Sequence, residues 1–205
     1  MEGLVIRKAA ASDLERIADL VAGEPGREAI AIAGCEEAAR KFGVGFIRLP
    51  GSPQGWPVST VAELDGRVVG VMQINDESQS YRITPRVALL AVRTFGIVGI
   101  VPVLGRTRAR LRVNPQLPPD AWFINELHVD PAYRNRGIGA ALLEHAEQEA
   151  RRRGLRRISL TTTTINPARH LYERHGYRVV ETKTDSSYER YTGISGRHLM
   201  VKELS

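Results

Sequence analysis

An apolar, β-compatible run from 123 to 129 gives way to a helical pattern, and this change organises the chain. Asp130 and Pro131 end the strand-like run, because proline has no N–H for a sheet and disfavours helix in the residue before it. From Gly139 to Ala150 the apolar residues recur every three or four positions, with charged residues between them. The pattern predicts a strand, a basic turn that contains glycine, and a helix.

The turn and the start of this helix form a predicted anion-binding site. The first N–H groups of a helix have no partner within it, and the helix dipole adds positive potential there. Gly137 and Gly139 lack a Cβ, which lets a bulky diphosphate approach the backbone, and Arg134 and Arg136 can add charge. A surface turn with a solvated arginine pair is the alternative interpretation. The spacing fits neither the dinucleotide-binding fingerprint nor a P-loop.

Two motifs in this part of the chain resemble those of the GNAT N-acetyltransferases. Arg134-x-x-Gly137-x-Gly139, after a strand that ends in Leu-x-Val, resembles the acetyl-CoA signature of that superfamily. Residues 166–177 resemble its next motif, Asn-x-x-Ala-x-x-Leu-Tyr-x-x-x-Gly-Phe, in the usual order and at the usual distance. The resemblance covers the C-terminal half well and the N-terminal half only by pattern. It implies an α/β (α+β) fold in a single domain over 1–205, with a mixed, mostly antiparallel central sheet flanked by helices.

Hydrophobic patterns before and after this strand, turn and helix predict the remaining elements. Strands are predicted at 4–7, 59–64, 67–74, 156–164, 177–182 and 197–202. Helices are predicted after a capping box at Ser12 to Glu15, across 27–42, and from Asn166 and Pro167 to Gly176. Asp65-Gly66 between two β-rich runs predicts a tight hairpin. The polar segment 185–196 is predicted to join the last two strands.

An insert of approximately residues 78–119 separates the hairpin from the central strand, where the family pattern has a short turn. Thr84 and Pro85 are typical of a helix cap and a first helical residue. The apolar run from Val87 to Leu104 approaches the length of a membrane span. We expect no membrane span, because strands of one sheet lie on both sides of this run. The prediction is a kinked helical insert over the acceptor site or in a subunit contact, with a helix on a membrane surface as the alternative.

Composition and charge are those of an ordinary soluble domain of 205 residues, 42% hydrophobic and 25% charged. The net charge of +6 is concentrated at 106–112 and 151–157, without interleaved aromatic residues for stacking on bases. We therefore expect a polyanionic cofactor and no nucleic acid. The single cysteine, Cys35, excludes an internal disulfide framework and is expected to be a small buried residue of a cytoplasmic protein. No signal-peptide pattern opens the sequence.

The resemblance implies where acetyl-CoA, the acetyl donor, binds. Its diphosphate would lie on the backbone of the turn at 134–139, and its pantetheine arm would run along the end of the central strand, where two strands splay apart. The N–H near Val129 would then face the thioester oxygen. The predicted cofactor-binding residues are Leu127, His128, Val129, Arg134, Asn135, Arg136, Gly137, Ile138, Gly139, Asn166 and Arg169.

Acetyl transfer to an amine also needs a proton donor and a base. Tyr172 is the candidate general acid, on a helix that the resemblance directs towards the cofactor groove, and simple packing is its alternative role. Glu126 is the candidate base, acting through water, with His128 or ordered water as alternatives. If side chains alternate, these two residues share a face with Ile124, unless a bulge intervenes. The histidines show no metal-ligand spacing, so no metal is expected.

The sequence therefore predicts an N-acetyltransferase that moves acetyl from acetyl-CoA to a primary amine by direct attack in a ternary complex. A non-catalytic acyl-CoA-binding or sensing module is the alternative, and a basic protein associated with nucleic acid is a third class. The acceptor is a small molecule or a peptide, and a polyamine, an aminoglycoside, an amino acid and a protein N-terminus stay open. The insert or the last strand could also form a homodimer.

Overall fold

Seven strands form one sheet in the computed structural model, which describes residues 3–75 and 84–204. They are β1 Leu4–Lys8, β2 Ser59–Leu64, β3 Arg67–Asn75, β4 Ala121–Val129, β5 Arg157–Thr163, β6 Arg178–Thr184 and β7 Gly196–Glu203. Their order in the sheet is β1-β2-β3-β4-β5-β7-β6. Neighbouring strands are antiparallel except β4 and β5, which are parallel. The predicted mixed, mostly antiparallel sheet is confirmed.

Helices cover both faces of the sheet. They are α1 Leu14–Ala22, α2 Arg27–Ala33, α3 Glu36–Arg48, α4 Pro85–Arg112, α5 Ile138–Arg152, α6 Arg169–Arg174 and α7 Ser186–Thr192. The buried side of α5, which includes Leu142, packs with Ile158 and Met200 of the sheet. Ile17 of α1 packs with Val71 on the opposite face. Each fully buried aliphatic side chain of these two cores contributes roughly 1.5–3 kcal/mol.

The hairpin between β2 and β3 forms as the sequence predicts. Asp65 and Gly66 have φ angles of 50° and 77°. Two successive left-handed residues are what a two-residue hairpin turn of this twist requires, and Asp-Gly adopts them readily. The hairpin places β3 beside β4, the central strand of the site.

Two helix predictions in the N-terminal half need correction. The helix predicted across 27–42 is two helices, because Gly34 is left-handed with φ 97° and ends α2. Cys35, expected to be buried, follows this break and is exposed. The predicted cap at Ser12 is also wrong: the Asp13 carboxylate accepts the N–H of Ala10 at 2.7 Å instead.

The segment 185–196 was predicted only as a connection, but it contains α7. Asp185 caps this helix by accepting the N–H of Tyr188 at 2.9 Å, and Gly193 ends it with φ 65°. The buried Tyr188 packs with Ala109 of α4 in a small cluster of its own. This helix therefore ties the end of the sheet to the insert.

The helical part of the insert is α4. It begins at the predicted cap, since Thr84 Oγ1 accepts the N–H of Val87 at 3.3 Å. Gly96 has φ 69° and ψ 169°, so it breaks α4 into two segments. The predicted kink is thereby confirmed, whereas residues 78–83 of the predicted insert lie outside the described residues.

By length and composition alone, α4 is a candidate membrane span, the one such helix in the described parts of the chain. The break at Gly96 leaves two segments that are both shorter than the roughly 20 residues needed to cross a bilayer. The strands before and after it, β3 and β4, pair in one sheet. Both observations argue against a membrane span.

Candidate active site

The parallel strands β4 and β5 separate half-way along their length and leave a gap in the sheet. Their pairing ends at Ile124 and Leu160. Beyond these residues β4 continues beside β3 to Val129, and β5 continues beside β7 to Thr163. Along the two edges that face each other across the gap, main-chain N–H and C=O groups form no hydrogen bonds between β4 and β5. These groups are available to a ligand.

The direction of the free amides follows from one hydrogen bond. The N–H of Asp130 donates to the carbonyl of Val69 on β3 at 2.9 Å. Because main-chain groups alternate sides along a strand, the amides of Leu127 and Val129 point away from β3 and into the gap. Arg134 Nε donates to the Val129 carbonyl at 3.2 Å, which holds this arginine at the end of β4.

A bulge at Asn125 determines which way the side chains of β4 point. Gln73 pairs with Glu126 while the next residue, Ile74, pairs with Ile124, so β4 carries one extra residue here. Ile124, Leu127 and Val129 consequently all pack with the core on the α5 side. The bulge is the exception that the sequence analysis allowed, so Ile124 does not share a face with Glu126 and His128, which still share one.

The predicted anion cradle lies where β4 leads into α5. Asn135 and Gly137 are both left-handed, with φ 60° and 80°, and α5 begins at Ile138. A Cβ placed on Gly137 would meet nothing within 4 Å, so the backbone is open to a ligand at this point. The first N–H groups of α5 point out of the helix here, as an anion requires.

Two arginines beside this cradle make cation–π contacts with the ring of Tyr133. The guanidinium carbons of Arg136 and Arg67 lie 5.3 and 5.8 Å from the ring centroid of Tyr133. Asp130 anchors the base of the turn with its carboxylate paired to Arg16. Burial alone would raise the pKa of Asp130, but the N–H of Ala132 and the Arg16 guanidinium together hold it below its usual value.

Gly139 has a packing role besides the cofactor-binding role that the sequence predicts for it. A Cβ on this residue would lie 3.1 Å from Leu171 Cδ2 of α6 and 3.8 Å from Leu127 Cδ2 of β4. The missing side chain therefore lets α5 approach α6 and the central strand closely, and the open approach for a diphosphate is at Gly137.

The predicted cofactor contacts at the start of α6 are arranged as a turn. Asn166 Oδ1 accepts the N–H of Ala168 at 2.9 Å, three residues before α6 begins at Arg169. The Arg169 guanidinium donates to Glu173 at 2.7 Å and lies 3.4 Å from His198 Nε2 on β7. Its charge is thus balanced by Glu173, one turn further along α6.

Tyr172 lies in the core on the α5 side and is 7% exposed. Its ring centroid is 6.2 Å from that of Tyr177. Burial, together with the negative charge of Glu126, raises the pKa of Tyr172 to about 12. The phenol is therefore fully protonated at neutral pH and holds a proton that it can donate.

Glu126 and His128 point to the opposite face and form a hydrogen-bonded pair. Glu126 Oε2 lies 2.8 Å from His128 Nε2, and Oε1 accepts the side-chain amide of Gln54 at 3.0 Å. All three side chains are part-buried. The carboxylate is thereby held in one orientation, with an imidazole beside it that can take or supply a proton.

Two residues of this arrangement, Gln54 and Gln73, were not predicted. Gln73 is fully buried on β3, and its Nε2 donates to the Gln54 carbonyl at 2.5 Å and to Ser59 Oγ at 3.1 Å. It fixes the loop that presents the Gln54 side chain to Glu126. A glutamine within the apolar run of β3 was the available signal for Gln73, whereas Gln54 lies in a loop with no regular pattern.

Comparison with known proteins agrees with this geometry. The family model described as the acetyltransferase (GNAT) family matches residues 41–177, well over half of the chain. The chain belongs to the GNAT acetyltransferase family. A crystal structure of an acetyltransferase superposes with a TM-score of 0.65 over 98% of this chain and 100% of that chain, at 24% identity. PaiA N-acetyltransferase from Thermoplasma acidophilum, in complex with coenzyme A, superposes with a TM-score of 0.57 over 98% of each chain, at 16% identity.

A curated relative is similar over part of this GNAT chain. Streptothricin acetyltransferase of Streptomyces lavendulae is 36% identical over 82 residues, which are 40% of this chain and 42% of that protein. The chain spans less than half the length of the curated relatives it matches.

GNAT enzymes use acetyl-CoA, and the residues found here fit such a donor. The open backbone at Gly137 suits a diphosphate, and the free amides of Leu127 and Val129 suit the amide-bearing pantetheine arm. Within residues 3–75 and 84–204, no group of three or more His, Cys, Asp or Glu side chains could hold a metal ion.

Proposed function

We propose that this protein is an N-acetyltransferase that moves the acetyl group of acetyl-CoA to a primary amine by direct attack. The observation that carries the proposal is the gap between β4 and β5, which opens between the cradle at Gly137 and the paired side chains of Glu126 and His128. A donor lying in this gap would have a proton donor, Tyr172, and a base, Glu126, on either side of it.

Bound acetyl-CoA would supply a thioester as the activated acetyl group. The chain holds the donor with the main chain from Arg134 to Gly139 and with the amides of Leu127 and Val129. The N–H of Val129 is directed into the gap, where it can stabilise negative charge on the thioester oxygen.

Proton transfer is the second task of these residues. An ammonium group must lose a proton before it can attack, and Glu126 is oriented to accept one, directly or through water. Tyr172 keeps its proton at neutral pH because its pKa is about 12, so it can protonate the departing thiolate. The base and the acid thus lie on opposite faces of the sheet.

The relative from Streptomyces lavendulae acts on streptothricin, which makes streptothricin the first acceptor to test. A carboxylate at the acceptor side of the gap is also the charge that a cationic amine would approach. Polyamines, aminoglycosides, amino acids and peptide N-termini complete the panel.

The experiment has two measurements on the full chain. Calorimetry measures binding of acetyl-CoA, and free-thiol release measures turnover with each amine in the panel. Binding together with amine-dependent thiol release supports the proposal. A protein that binds acetyl-CoA but acetylates no amine is the sensing module instead, and a protein that binds neither CoA nor acetyl-CoA is not an acetyltransferase.

A further inference from the structure

The outer face of α4 exposes large apolar side chains both before the break at Gly96 (Leu89 and Val92) and after it (Ile97, Val98, Val101 and Leu104). Ile97, Val98 and Val101 are 79%, 85% and 70% exposed. In the segment after Gly96 these residues recur at positions one, two, five and eight, which places them on one side of a helix. An 18-residue apolar window in α4 has none of its residues buried. A soluble monomer rarely exposes so contiguous an apolar face without a partner for it.

The inner face of α4 packs against the rest of the protein at three points along its length. Phe95 packs on Phe42 of α3, with ring centroids 5.3 Å apart. Arg106 donates to the carbonyl of Ile32 on α2 at 3.4 Å. Ala109 is buried against α7. These contacts fix which side of α4 faces outward.

The charge on this helix has one sign. Residues 85–112 contain six arginines and no aspartate or glutamate. Arg86, Arg93 and Arg108 are exposed and form no ion pair with any residue in the described ranges. Arg108 lies on the same side as Ile97 and Val101, about three and two turns further along. The apolar face is therefore bordered by cations that no carboxylate within residues 3–75 and 84–204 neutralises.

We propose that the outer face of α4 docks on an anionic lipid surface. An apolar helical face with unpaired arginines at its border matches a bilayer interface, where acyl chains accept the apolar side chains and lipid phosphates or carboxylates accept the guanidinium groups. A second copy of this chain fits less well. In a two-fold contact this surface would meet its own copy, and α4 carries arginines but no carboxylate, so the contact would bring together surfaces of like charge. The helix lies on the surface and does not cross it, because Gly96 breaks it.

The test is co-sedimentation of the full chain with vesicles of phosphatidylcholine alone and of phosphatidylcholine with about one-third phosphatidylserine. The protein should bind the anionic vesicles, and the binding should weaken as salt is raised. The triple variant I97N/V98S/V101N should lower vesicle binding by at least about tenfold. R86Q/R93Q/R108Q should lower it as well, by removing the attraction to anionic headgroups.

Controls separate this surface from general basicity and from misfolding. V180S replaces a residue of β6 that is 59% exposed, and it should bind vesicles as the unchanged protein does. The triple variant keeps every charge, so equal binding by it and by the unchanged protein would show that α4 is not the docking surface.

Binding to neither vesicle, or equal binding to both, overturns the proposal. So does a concentration-dependent dimer in sedimentation that the triple variant abolishes, because the occupant is then a second copy. Thermal unfolding and acetyl-CoA binding should not change in any variant, so a docking failure is distinct from a failure of the proposed activity.

Discussion

Glu126 Oε2 lies 2.8 Å from His128 Nε2, two residues along the same strand and on the same face. The pairing depends on the bulge at Asn125, after which even-numbered side chains of β4 leave the α5 core. Gln54 holds the other carboxylate oxygen at 3.0 Å. The Glu126 carboxylate is thus held at both oxygens beside the gap in the sheet, in one orientation for accepting a proton. Substitutions can test this role.

Glu126→Gln should lower kcat/KM for the amine by about a hundredfold, because it removes the base while keeping a similar shape. Acetyl-CoA affinity should not change, since the amides of Leu127 and Val129 stay in place. His128→Asn should cost less, because it removes only the orienting partner. The double variant should be no worse than Glu126→Gln alone if the pair acts as a unit. Steady-state thiol release measures all three.

Glu203→Gln is the matched control for this series. Glu203 is an exposed carboxylate on β7 that pairs with Arg157 on the surface, and its loss should leave turnover unchanged. Full activity in Glu126→Gln would remove this residue from the mechanism and leave ordered water as the base.

Tyr172→Phe should reduce kcat by about a hundredfold or more, with acetyl-CoA affinity preserved, because the phenol is the proton donor to the thiolate. Its pKa of about 12, against an ordinary value of 10.0, also means that the unchanged enzyme should show no loss of activity from tyrosine ionisation up to about pH 10. The measurements are kcat as a function of pH and a calorimetric titration with acetyl-CoA.

Tyr177→Phe is a closely matched control for this prediction. The ring of Tyr177 is tilted against that of Tyr172, but its hydroxyl is buried and has no hydrogen-bond partner in the described residues. Removing a buried hydroxyl without a partner costs little or stabilises the fold. Tyr177→Phe should therefore retain turnover and unfold at the same or a higher temperature. A similar loss of kcat in both variants would indicate a packing role for Tyr172.

The sequence predicted the central unit well because its signals are local. Pro131 ends β4, a left-handed glycine precedes α5, and Asp65-Gly66 closes the hairpin, and each of these needs only neighbouring residues. The same reasoning allowed for a bulge in β4 but could not place it at Asn125, because the alternation of apolar residues does not show where a strand gains one residue against its neighbour. The face of Ile124 could not be predicted for that reason.

The unpredicted part of the site consists of contacts between distant residues. Gln54 and Glu126 are 72 positions apart, and they meet because Gln73 holds the loop that carries Gln54. The role of Gly139 was likewise hidden, because the need for a small residue comes from Leu171 on another helix. Local patterns carry no information on such pairings, which appear only when the sheet assembles.

Gly139→Ala tests whether this glycine serves packing or ligand approach. The added Cβ would lie 3.1 Å from Leu171 Cδ2, so the fold should lose about 1 kcal/mol and α6, which carries Tyr172, should shift. Turnover should fall more than acetyl-CoA affinity. Leu171→Val in the same chain makes room for the methyl group and should restore part of both losses. Chemical denaturation and thiol release measure the four members of this cycle, and additive effects would show that the two residues are not coupled.

A buried ionic cluster ties α2 to the sheet and to the insert. Glu28 accepts hydrogen bonds from Arg197 and from the Tyr188 hydroxyl, both at 2.6 Å, and lies 3.6 Å from Arg110 of α4. Burial would raise the pKa of Glu28, but the two arginines and the hydrogen bonds outweigh it and lower the pKa below its ordinary value of 4.5. The cluster joins four elements through a single carboxylate.

Glu28→Ala should therefore cost about 3 kcal/mol of unfolding free energy, because it leaves Arg197 buried without its carboxylate. Glu15→Ala, which breaks an exposed pair with Arg48, should cost less than about 1 kcal/mol.

The direction in which stability depends on pH follows from the lowered pKa of Glu28. The stabilisation by Glu28 is complete above the unfolded-state value near 4.5 and is lost as the pH falls through the folded-state value. Urea unfolding from about pH 7 to pH 3 should thus show a steeper loss of stability in the unchanged protein than in Glu28→Ala. Parallel pH profiles would mean that Glu28 is as easily protonated in the folded chain as in the unfolded one.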